Sequence, residues 1–198
     1  MNNLTDCYLK GIGTEKDYNK AFDWHQKVAE KSYKNLESTK KNFHWYQKEA
    51  ENGNEDAMVT VAICYQLGEE TEKNLEKAVH WYQKAAENGN EDAMYNLAEC
   101  YYSGERTEKD LEKAFYWYQK VAENGDETAM FILAICYNNG EGTEKNLEKS
   151  FYWYQKAAEN GNEEAINNLG NCYRNGIGTE KNLQKAAYWY QKAQKIMK

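Results

Sequence analysis

The 198 residues contain no proline. A proline inside a helix removes a hydrogen bond and clashes with the turn before it, so nothing in this chain breaks a helix from within. Basic charge is not in excess: 25 Lys and Arg stand against 32 Asp and Glu, for a net charge of −7. That balance argues against nucleic acid, whose binders carry a basic footprint. No apolar run is long enough to span a membrane and no signal peptide is visible, so the expected location is cytoplasmic. Asn3-Leu4-Thr5 is formally a glycosylation sequon, but without a secretion signal it carries little weight. Histidine is scarce, and His25, His44 and His80 lack metal-ligand spacing with any cysteine. The motifs G-x-x-x-x-G-K-(S/T), G-x-S-x-G and H-x-x-E-H are all missing. Catalysis needs convergent groups and none converge, so the chain reads as a non-enzyme with no cofactor and no metal.

Internal repetition is what the sequence does have. Trp45, Trp81, Trp117, Trp153 and Trp189 follow one another at 36 residues, and Cys64, Cys100, Cys136 and Cys172 keep the same step. After Asn54 the chain divides into four units, 55–90, 91–126, 127–162 and 163–198. Each reads roughly E-(D/E)-A-M-x-x-L-A-x-C-Y-x-x-G-E-x-T-E-K-N-L-E-K-A-x-x-W-Y-Q-K-A-A-E-N-G-N. A period of this length marks a stack of supersecondary units.

Each unit predicts two helices. In 91–126 the first spans about Glu91 to Ser103, with Asn90 as N-cap, Glu91 and Asp92 where the helix dipole favours negative charge, and Gly104 as the stop. Ala93, Leu97 and Tyr101 share one face at i, i+4 and i+8. The second spans about Leu111 to Asn124 with Asp110 as N-cap; Leu111, Ala114, Trp117, Tyr118, Val121 and Ala122 form its apolar stripe. The fixed Trp-Tyr spacing predicts core packing rather than an aromatic cage. One hairpin cannot bury its own apolar face, so neighbours must stack into a continuous core. Gly140-Glu141-Gly142 and Gly176-Ile177-Gly178 fall in the turn inside a hairpin and read as turn formers rather than phosphate loops. His44 and His80 occupy the place of Tyr116, Tyr152 and Tyr188, a surface-lining position.

A single cysteine per unit leaves no bridge within a hairpin. Equivalent helices lie on the order of 10 Å apart, beyond the roughly 7 Å a disulfide tolerates, so these thiols read as small, reduced core fillers.

The runs Leu169-Gly170-Asn171-Cys172-Tyr173-Arg174-Asn175-Gly176-Ile177-Gly178 and Lys149-Ser150-Phe151-Tyr152-Trp153-Tyr154-Gln155-Lys156-Ala157-Ala158-Glu159-Asn160-Gly161 resemble the Sel-1-like repeat, a relative of the tetratricopeptide repeat. The resemblance covers essentially the whole chain. It implies an all-α, right-handed superhelix with first helices lining the concave face, and adaptor or scaffold roles. Cysteine-rich bacterial members bridge two cysteines within each repeat; this sequence departs from them with one.

The array is irregular near its start. Trp24 to Trp45 is a step of 21 rather than 36, and the missing residues correspond to most of a first helix. Thr39, Asn42 and Glu49 replace apolar residues of the other units, as expected where a partner helix is lost. Residues 1–32 therefore read as a partial first repeat and 33–54 as a repeat without its first helix, the whole 1–198 being one repeat domain. The helix around Trp24 is expected to leave the regular stack or to substitute as partner. The start aligns with the inside of a first helix and neither end has the polar look of a cap, which suggests a fragment of a longer protein.

The units differ most along one stripe of each first helix: Val59, Ile63, Gln66; Tyr95, Glu99, Tyr102; Phe131, Ile135, Asn138; Asn167, Asn171, Arg174. These recur at i, i+4 and i+7, off the Ala-Leu-Tyr packing face, and side by side they should line the concave groove. An apolar cluster rimmed by polar groups marks a binding site. The expected function is a protein-interaction scaffold that takes a peptide or helix there, anchored by Tyr95, Tyr102 and Phe131. A competing reading makes the stripe mere packing between neighbouring first helices. The alternative function, which the family resemblance implies, is a docking or regulatory segment of a multidomain signalling protein such as a fungal kinase.

Overall fold

A computed structural model of the chain describes residues 43–104 and 107–196. The expectations for the Trp24 helix, Thr39 and Asn42 lie outside these residues. The described chain is helical. A segment α1 over residues 43–51 is followed by α2 (Glu55–Leu67), α3 (Leu75–Glu87), α4 (Glu91–Ser103), α5 (Leu111–Glu123), α6 (Glu127–Asn139), α7 (Leu147–Glu159), α8 (Glu163–Asn175) and α9 (Leu183–Ile196). Helices pair as α2/α3, α4/α5, α6/α7 and α8/α9. Each second helix also touches the first helix of the next pair, so the pairs stack in chain order into an all-α repeat solenoid.

Local chemistry sets the helix limits. Asn54, Asn90, Asp126 and Asn162 cap the first helices, each side chain accepting a hydrogen bond from the backbone N–H three residues on, at 2.6–2.9 Å. Asn74, Asp110, Asn146 and Asn182 do the same for the second helices. Such a cap is worth about 1 kcal/mol. Left-handed Gly68, Gly104, Gly140 and Gly176 end the first helices.

Small residues let the helices approach and tyrosines fill the space between. Ala78, Ala114, Ser150 and Ala186 are buried, as are Tyr82, Tyr118 and Tyr154, together with Val61, Leu97, Leu133 and Leu169. The tryptophans that reveal the period contribute less to this core than expected. Trp81 is buried, Trp117, Trp153 and Trp189 are only half-buried, and Trp45 is 56 % exposed. The tyrosine one residue on points inward, while the tryptophan lies on the flank. There it meets an exposed ring edge-on, as in Tyr116–Trp117 at 5.1 Å.

Two contacts fasten one pair to the next. Phe115 meets Tyr137 and Phe151 meets Tyr173 edge-on between pairs, as Phe43 of α1 meets Tyr65, with centroids 5.2–5.5 Å apart. Gly142 and Gly178 press against the carbonyls of Leu111 and Leu147, with φ of +69° and +66°; a Cβ at either would lie 1.9 Å from the carbonyl oxygen. Only glycine fits both the left-handed backbone and that approach.

Candidate binding face

The variable stripe runs along α2, α4, α6 and α8. Val59 and Gln66 are half-buried and Ile63 is exposed; Tyr95, Glu99, Tyr102, Phe131, Ile135 and Asn138 are all half-buried; Asn171 is half-buried, and Asn167 and Arg174 are exposed. The middle of the stripe is the part the structure brings together. Tyr95 and Tyr102 lie edge-on to Tyr118, at 5.9 and 6.3 Å, and Phe131 packs against Tyr154 at 5.9 Å. Tyr95, Phe131 and Ile135 border a single hydrophobic cluster that begins at Val121 and continues to α9. Tyr102 donates to Glu141 Oε2 at 2.9 Å, bridging the second and third pairs. The hydrogen bond to Glu141 and then burial push its phenol up to about 12.

Part of the stripe also serves the interior. Each second helix presents a tyrosine hydroxyl that needs an acceptor, because a buried polar group without a partner is costly. Tyr82 donates to Gln66 Oε1 at 2.8 Å, Tyr118 to Glu99 Oε1, and Tyr190 to Asn171 Oδ1 at 2.8 Å. Burial, then the bond to Glu99, pushes the Tyr118 phenol far up. In the third pair Ile135 stands where Glu99 and Asn171 stand and offers no acceptor. Ser150 there replaces the alanine of the other second helices. It lies near enough to the Tyr154 phenol to oppose the upward push of burial, yet its Oγ completes no hydrogen bond of good geometry. Sequence reasoning missed this duty. The available signal was the tyrosine repeated in every unit: a phenol turned toward the interior calls for an acceptor opposite.

Charge is one-sided. The four first helices contain Glu55, Asp56, Glu91, Asp92, Glu99, Glu127, Glu163 and Glu164 but no lysine, and Arg174 is their one basic residue. A lysine lies in the turn before each second helix, Lys109 reaching to 5.6 Å from the Tyr102 ring centroid, and others lie on the second helices themselves. There Lys77, Lys113, Lys149 and Lys185 lie over tyrosine rings of the partner first helix at 5.1–5.2 Å. Among the described residues no cation forms an ion pair with a first-helix carboxylate, the single pair found being Lys113–Asp110 at 3.0 Å. No group of His, Cys, Asp and Glu among them could hold a metal ion, and no described helix is long and apolar enough to cross a membrane. Cys64, Cys100, Cys136 and Cys172 are buried, and burial pushes the Cys136 and Cys172 thiols up to about 12 and 11. Such thiols are poor nucleophiles.

The Sel1 repeat profile matches residues 1–33, 40–54, 56–90, 91–126, 128–162 and 163–193. No protein of curated function matches the chain. Among solved structures, the chain is similar to a Sel1 repeat protein from Oxalobacter formigenes, with 30 % identity and a TM-score of 0.73 over 98 % of this chain and 71 % of that one. It is also similar to c5321, a protective antigen of uropathogenic Escherichia coli with an SLR fold. The identity there is 26 % and the TM-score 0.74, over 98 % of this chain but only 44 % of the antigen. Helicobacter pylori cysteine rich protein B matches 66 % of the chain at 26 % identity, with a TM-score of 0.50. With the profile covering nearly its whole length, and two solved repeat proteins following the same course, this chain belongs to the Sel1 repeat family, which generally mediates protein–protein interaction.

Proposed function

We propose that the chain is a non-catalytic interaction scaffold that holds an extended peptide or a helix along the face formed by α2, α4, α6 and α8. The observation that carries this reading is the half-exposed row of Tyr95, Tyr102, Phe131 and Ile135 on neighbouring first helices. These large apolar side chains are anchored from below by Tyr118 and Tyr154 and keep an open side. Rigid aromatic side chains that remain partly accessible are the usual anchors of a protein interface. The family's general role supports the reading.

The test is affinity capture from the source organism, with the wild-type chain beside a Tyr102→Ala/Phe131→Ala double variant. The variant should lose the partner while its helical circular dichroism is kept. Equal recovery by both proteins would place the binding surface elsewhere.

A further inference from the structure

The scaffold reading leaves the chemistry of the partner open, and the charge on the first-helix face narrows it. Between α4 and α6 lies a cleft of about 240 Å³, whose walls include Asp92, Tyr95, Asn96, Val121 and Asp126. Its apolar lining includes the buried Val121 and the half-buried Tyr95 ring. Its polar rim carries negative charge only. Asp126 caps α6 through one oxygen, which accepts from the Ala129 N–H at 2.6 Å. Glu91 accepts from Asn124 Nδ2 at 2.9 Å, a neutral donor that leaves its charge in place. Burial first, then Glu99 and Asp126, raise the Tyr95 phenol above its ordinary value. No lysine is available from the first helices to neutralise it.

An apolar groove with a carboxylate rim matches a side chain that is aliphatic along its stem and cationic at its tip. Lysine and arginine have that form: the stem covers apolar surface while the charge stays at the wet edge. An aromatic face adds attraction for the cation. An acidic segment would meet like charge at the cleft, and a plain apolar helix would leave its carboxylates desolvated without partners.

We propose that the first-helix face binds a basic segment of a protein partner, with a lysine or arginine side chain entering the cleft between α4 and α6 beside Tyr95. This rests on the scaffold reading above and goes beyond it by fixing the sign of the partner.

The test uses the whole chain and three fluorescein-labelled twelve-residue peptides, alternating leucine with lysine, with serine or with glutamate, read by fluorescence anisotropy at two salt concentrations. The lysine peptide is expected to bind, more weakly at higher salt. Asp92→Asn/Asp126→Asn, which keeps a capping side chain at 126, should weaken it by about tenfold. Glu123→Gln/Glu159→Gln removes the same charge from exposed second-helix sites and should change little. Equal loss in both double variants would reduce the effect to overall charge and overturn the proposal. Binding of the serine peptide as tightly as the lysine peptide, abolished by Phe131→Ala, would overturn the basic partner yet leave the scaffold reading standing. No binding of any peptide, or concentration-dependent self-association that displaces the lysine peptide, would also overturn it, the latter by making a second copy of this chain the occupant.

Discussion

The second and third helix pairs share 25 of 36 residues yet surround the same buried tyrosine in different ways. In α4/α5, Tyr118 donates to Glu99 and Ala114 leaves the space beside it apolar. In α6/α7, Ile135 removes that acceptor and Ser150 adds a hydroxyl that completes no hydrogen bond. Variation between copies is therefore not a map of binding residues alone. Where a side chain of the stripe reaches over the phenol of its own pair, exchanging Glu99 for Ile135 changes the interior as well as the surface.

The largest effect should come from the contact that holds the third pair to the second. Gly142→Ala puts a Cβ 1.9 Å from the Leu111 carbonyl oxygen at a φ of +69°. Strain and overpacking together should cost about 3 kcal/mol or more. Urea unfolding followed by circular dichroism would show this as a fall in midpoint, and an unchanged midpoint would mean the joint is not tight. In the sequence Arg106 stands where Gly142 and Gly178 stand.

Next in size is the acceptor. Glu99→Leu leaves the Tyr118 hydroxyl buried without its partner and should cost about 2 kcal/mol, whereas Glu99→Gln, still an acceptor, should cost far less. If the two variants unfold alike, the Glu99–Tyr118 bond does not account for the difference between the pairs. The converse change lies in the third pair. Ser150→Ala removes an unsatisfied buried hydroxyl and should stabilise by about 1 kcal/mol, while Ala114→Ser in the second pair should do the opposite. A stability loss on Ser150→Ala would show that this hydroxyl has a partner after all.

The last effect is absent at neutral pH. Tyr102 and Tyr154 are pushed up to about 12 and Tyr118 is also raised, from an ordinary value of 10. A phenol whose folded value is raised favours the native state fully below pH 10, and that contribution is lost as pH rises through 12. Stability should stay level to about pH 9, where the buried thiols begin to add the same dependence, and fall steeply above it. Tyr118→Phe should make the fall shallower. A native chain that is as stable at pH 12 as at pH 8 would contradict the burial of these groups.

Most of the fold is legible from the residues. Glu91 to Ser103 follows from its asparagine cap, its periodic alanine and leucine, and its closing glycine, and the helix has those bounds. The relative depth of tryptophan and tyrosine is not legible, because adjacent residues on a helix differ by about 100° and the repeat fixes both equally. The stripe was legible as a stripe. Its share in the interior was not, because the acceptor moves between equivalent sites, residue 66 in the first pair and residues 99 and 171 in the second and fourth. A comparison column by column sees unrelated changes there; the three-dimensional contact sees one requirement met from neighbouring turns of the same helix face.

Each described pair also carries one cysteine, at 64, 100, 136 and 172, all closed off from solvent. A buried thiol reacts with an alkylating reagent only when its own pair opens. The rate at each site, followed under native conditions by mass spectrometry, is then a clock for that pair. Four clocks at equal spacing along one chain would time the order in which the array frays, without a mutation or an added label.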